Sequence, residues 1–197
     1  MKIVKVMLSL CLITATSYGQ TEIGIKAGLN VSDIVMTNYV NPDVENDLNL
    51  KLGLHAGVFA GVMIEERIGL SAELLYSDKG VKGNTNIHLH YFAVPALVTY
   101  KLNERFSVEA GPEVSYLFSA RSAHGDLSGT YNNRFDLSID GGIRFDAARV
   151  VAGLRYCVGL FSVRDPAYAQ GLSGPEKVKY QNRVVQLSLG YKLHLSE

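Results

Sequence analysis

Cysteine, proline and net charge are all scarce in this 197-residue chain, and each scarcity excludes something. Of its two cysteines, Cys11 sits in an N-terminal apolar run and Cys157 stands alone beyond it, so no disulfide staples the fold. Lysine plus arginine and aspartate plus glutamate are balanced at 19 each, which leaves no basic surplus for nucleic acid. Tryptophan is absent. Past the first residues no stretch reaches the roughly 18 consecutive apolar residues of a membrane helix. Disorder is excluded in turn by 47% hydrophobic against 19% charged residues. The length suits one domain.

The first residues read as an export leader. Lys2 and Lys5 precede the apolar stretch "VMLSLCLITA", and "TSYGQ" follows with small Ser17 and Gly19 at the positions a signal peptidase reads. The apolar stretch is too short to span a bilayer. Cys11 lies inside it after bulky Leu10, which argues against a lipidated cysteine. Residues 1–19 are therefore expected to be removed, and 20–197 to form the exported domain, with two more acids than bases.

What the remainder has in plenty is alternation. Eight runs repeat with the period of two that marks a strand with unlike faces: 22–31, 51–63, 68–77, 89–102, 105–119, 134–146, 149–163 and 183–195. The sixth, "RFDLSIDGGIRFD", sets Phe135, Leu137, Ile139, Ile143 and Phe145 against Arg134, Asp136, Ser138, Asp140, Arg144 and Asp146. Pro95 falls within the fourth run, where a missing ladder bond predicts a bulge or local gap. Each run is long enough to cross a bilayer at a tilt, which takes about 9–11 residues. An even number of antiparallel strands closes with no open edge. Long polar connections (32–50, 78–88, 120–133, 164–182) alternate with tight ones (64–67, 103–104, 147–148), as in outer-membrane barrels whose long loops face outward.

Which face meets water decides the location. On the apolar face Tyr100, Phe106, Phe145 and Tyr191 lie near the short-turn end, and Tyr76, Phe92, Phe118 and Phe135 towards the long-loop end. Two such rings resemble the aromatic girdles of a membrane barrel. A soluble barrel with an apolar interior has no need of them. The polar face carries Gly24, Gly28, Gly53, Gly57, Gly61, Gly111, Gly142, Gly153, Gly159 and Gly190. Glycines on a solvent-facing surface would only weaken strands. Inside an eight-stranded barrel, whose lumen side chains just fill, they leave room for charged neighbours. The expectation is an all-β, eight-stranded antiparallel up-and-down transmembrane barrel. Glu73, Glu109, Glu113, Arg134, Asp136, Asp140, Arg144 and Arg155 are expected to pair inside it as a structural charge network, because unpaired buried charge is costly.

"EIGIKAGLNVSDI" (22–34), "YFAVPALVTYKL" (91–102), "GLRYCVGLFSV" (153–163) and "NRVVQLSLGYKL" (182–193) resemble strands of the small PorT-like outer-membrane barrels of Bacteroidota. The resemblance spans nearly the whole exported chain and rests on short structural motifs. It implies an outer-membrane location, lipid as the surrounding partner and handling by barrel-assembly machinery. It departs at Ala93, where such proteins often carry an acid, and in the ending "HLSE", which lacks a terminal aromatic. The founding member of the family is tied to a secretion system, which makes an accessory secretion component the alternative role.

Three candidate sites remain. His124, Asp126 and Ser128 supply the residue types of a hydrolytic triad in a long connection, as a rim-located lipid-modifying enzyme would need. His88 and His90 are two apart at the start of the fourth strand and could share a face and a metal, but no acid or cysteine completes the set. Loops 32–50 and 164–182 are the places for an unknown protein partner, since recognition concentrates in long surface loops. No cofactor motif is present. The expected role is non-enzymatic, structural or surface-binding.

Overall fold

The computed structural model describes residues 21–37, 50–82, 86–128, 133–162 and 179–195; the leader and the central parts of loops 32–50 and 164–182 lie outside them. Strict alternation becomes eight long strands. They are Thr21–Thr37 (β1), Lys51–Met63 (β2), Ile68–Val81 (β3), Ile87–Lys101 (β4), Phe106–Ser122 (β5), Phe135–Ala147 (β7), Val150–Gly159 (β8) and Lys179–Leu195 (β9). A two-residue strand, Gly125–Asp126 (β6), folds back on the end of β5. Each long strand pairs antiparallel with its neighbour in sequence, β1 pairs with β9, and β4 with β5, so the sheet is closed. The short turns and the β1 start share one end. The Asn103 side chain shapes one of these turns by accepting hydrogen bonds from the Arg105 and Phe106 amides, both at 2.9 Å.

Burial inverts the order of a soluble protein. Glu113 and Asp140 are fully buried, whereas Leu52, Leu187 and Leu189 are 71%, 56% and 65% exposed. The polar face therefore lines the lumen and the apolar face forms the outer wall. Water cannot be the solvent for a continuous leucine, valine and aromatic wall of this extent.

Pro95 behaves as its missing N–H requires. The β3–β4 ladder skips the residues opposite Pro95 and Val94, then resumes in unchanged register at Leu75 and Ala93. The register shift in β4 lies elsewhere, between His90 and Tyr91 on the β5 side. Several strands outrun their sequence patterns at the long-loop end: β1 reaches Thr37, β3 reaches Val81 and β9 starts at Lys179. The connection expected at 78–88 begins later, since residues 78–81 continue β3 with Gly80 at φ 140°.

The lumen glycines do more than leave room. A Cβ on Gly57 would collide with the Leu74 carbonyl oxygen of the neighbouring strand, and one on Gly111 with that of Ala96. Small barrels bend their strands sharply, and glycine permits the close backbone approach at the bends. At Gly142 both reasons apply. It sits in register between Glu109 of β5 and Arg155 of β8, so no side chain separates those charges.

Candidate functional site

The lumen is filled in tiers. At the short-turn end Arg144 bonds Asp146 through Nε and Nη2 at 2.9 and 2.8 Å and reaches Glu22 at 2.7 Å. Lys192 bridges the same two acids at 2.6 and 3.2 Å. Phe59 lies beneath the Arg144 guanidinium, 5.9 Å from its ring centre. In the middle tier the Arg155 guanidinium donates to both Glu73 oxygens at 2.9 and 3.1 Å and to Glu109 at 3.1 Å. Lys26 adds a bond to Glu73 at 2.9 Å.

Further along, Lys79 and Glu113 meet at 2.7 Å with both side chains essentially inaccessible. Lys79 also lies 5.2 Å from the centre of the Tyr91 ring. Asn182 ties Asp136, at 2.8 Å, to the Tyr91 hydroxyl at 3.2 Å. Asn30 joins His55 and Ser77 at 2.8 and 2.9 Å. At the long-loop end Leu89, Tyr91, Leu117 and Ala120 form a buried apolar cluster, with Ile34, Ile87 and Leu127 packed on it.

Of the eight charges expected here, Glu73, Glu109, Glu113, Asp136, Asp140, Arg144 and Arg155 are buried in the lumen. Arg134 is not. It precedes β7, and its guanidinium reaches the Leu117 backbone carbonyl at 3.4 Å. It is half-buried, and its carbonyl accepts from the Leu117 amide at 2.7 Å. The partners missed were Lys79, which falls in the connection expected at 78–88, and Glu22, Lys26, Asp146 and Lys192, which sit on the polar face but name no partner without a register.

The eight expected girdle residues all lie on the outer wall. Phe92 and Phe118 stack at 4.6 Å between ring centres, with Tyr76 6.2 Å from Phe118, and Phe106 packs on Phe145 at 5.0 Å. Tyr116 joins Phe135 at 5.2 Å.

The triad does not assemble as a nucleophile needs. The Ser128 hydroxyl donates to Asp126 at 2.6 Å rather than to an imidazole. That bond and the Ser128 amide hold the Asp126 carboxyl below its ordinary range. The histidine pair gains what the sequence lacked: Asp78 on β3 is the register partner of His90, and its Oδ2 lies 3.2 Å from His88 Nδ1.

A closed eight-stranded barrel, polar within and apolar without, defines an integral outer-membrane protein. The family model of the outer membrane protein beta-barrel domain matches residues 16–165, and the chain belongs to that family. Among solved structures it is similar to Neisserial surface protein A, at 11% identity and a TM-score of 0.52 over 89% of this chain and 99% of that one. It is also similar to Ail of Yersinia pestis, at 15% identity and a TM-score of 0.48 over 89% and 99% of the two chains. OprG from Pseudomonas aeruginosa aligns at 16% identity with a TM-score of 0.41, over 90% and 97%. No curated protein sequence matches the chain.

Proposed function

We propose that this is a non-enzymatic outer-membrane barrel whose filled lumen is structural and whose outward loops, 32–50 and 164–182, bind a partner. The supporting observation is the bore itself: the Arg155, Glu73 and Glu109 tier and the Leu89, Tyr91 and Leu117 cluster both occupy it. The two aromatic rings then mark the edges of the lipid band. The exported form begins at Gln20. Protein purified from outer membranes tests this directly. Its intact mass should correspond to residues 20–197, and planar bilayers holding it should show no steady conductance. Stable single-channel steps would sink the structural reading.

The strands quoted for the PorT-like resemblance favour a second reading, an accessory role in protein secretion. A deletion strain distinguishes the two. Exported cargo held in the periplasm supports the secretion role, and normal export leaves the loop-binding reading.

A further inference from the structure

His88 and His90 share the outward face of β4, and Asp78 stands beside them on β3, just past the outer aromatic ring. Asp78 Oδ2 lies 3.2 Å from His88 Nδ1, and Asp78 Oδ1 lies 3.8 Å from His90 Nδ1. One ligand atom from each residue falls within 4.8 Å of the other two. A tetrahedral ion with nitrogen and oxygen bonds near 2 Å sets its ligand atoms about 3.4 Å apart. The two aspartate–histidine distances, 3.2 and 3.8 Å, bracket that spacing.

A second observation points the same way. Asp78 Oδ1 is buried and has no hydrogen-bond partner among the described residues. A buried carboxylate oxygen left unmatched is costly. Lys51 occupies the other oxygen at 2.8 Å. It fixes the carboxylate and leaves Oδ1 directed at His90. The imidazoles are held too: the His88 and His90 rings lie 6.0 Å apart at 24°, and His90 stacks on Phe118 at 6.1 Å. The Tyr76 hydroxyl, 2.8 Å from His90 Nδ1, is the group an incoming ion displaces.

We propose that Asp78, His88 and His90 form a binding site for one late first-row divalent ion on the outer wall of the barrel. Two imidazoles and one carboxylate suit zinc and copper rather than the hard ions calcium or magnesium. Three protein ligands leave a fourth position for water or an external donor. The side chain of His88 is 43% exposed, so the site opens to the outside. It is independent of how the lumen works and of what the loops bind.

The test uses the full exported chain, folded in detergent micelles, with Zn2+ titrated calorimetrically. One ion per chain is expected, with affinity weakened at least about 10-fold in His88→Ala and in Asp78→Asn and unchanged in His124→Ala. Each variant is confirmed folded by its heat-dependent gel migration. Copper-loaded wild-type protein adds a readout that needs no variant: its electron paramagnetic resonance spectrum should show coupling to two imidazole nitrogens. The proposal is overturned by absence of saturable Zn2+ binding, by wild-type affinity in either ligand variant, or by coupling to fewer than two nitrogens.

Discussion

Arg155→Met should cost the folded barrel about 3–5 kcal/mol, the penalty for removing one partner of a buried ion pair. The guanidinium is 6% exposed and neutralises Glu73 and Glu109 at once. Methionine fills similar volume but leaves Glu109 with only the Arg144 guanidinium, 3.9 Å away, and Glu73 with Lys26. An exposed pair would contribute only about 0–1 kcal/mol. Urea unfolding in lipid vesicles, followed by the gel shift between folded and unfolded forms, measures the difference. Combining Arg155→Met with Glu109→Gln should recover part of the loss, because one carboxylate is then neutral and Glu73 keeps Lys26 at 2.9 Å. A loss below about 1 kcal/mol in the single variant would show that water reaches this tier and that the lumen is not sealed.

The second large effect lies on the other face. Ile139 is midway between Phe135 and Phe145 on β7 and is 48% exposed. Ile139→Arg should destabilise the barrel by about 2–4 kcal/mol in a bilayer, the cost of a guanidinium at the membrane midplane. On a water-facing wall the same change would fall within about 0.5 kcal/mol of neutral. The outcome therefore reports which solvent the wall meets. Equal unfolding curves for Ile139→Arg and the parent protein would refute the lipid-facing assignment of β7.

The strands and their two faces were legible because membrane barrels impose period two with unusual strictness. One solvent is hydrocarbon and the other is a packed polar bore, so each position is forced to one side. Legibility stopped where that contrast stops. Past the outer aromatic ring both faces of β3 turn polar, alternation carries no signal, and Asp78 and Lys79 fall in the connection expected at 78–88. Partner choice was also hidden. That Arg155 meets Glu73, 82 residues away, follows from register and closure, which composition does not encode. The glycines showed their face but not their main task, since the atom that Gly57, Gly111 and Gly142 must avoid belongs to another strand's backbone.

Beyond the outer aromatics β3 runs on through residues 77–81 and β5 through 119–122. At about 3.4 Å per residue and a tilt near 40°, these extensions raise the rim roughly 10–13 Å above the lipid. The consequence is one of reach. Hydrogen-bonded sheet, not slack chain, lifts the loops towards the far side of the headgroup layer. A large soluble partner can therefore touch them without pressing against the membrane, and little ordering entropy is lost in the stalk when it does.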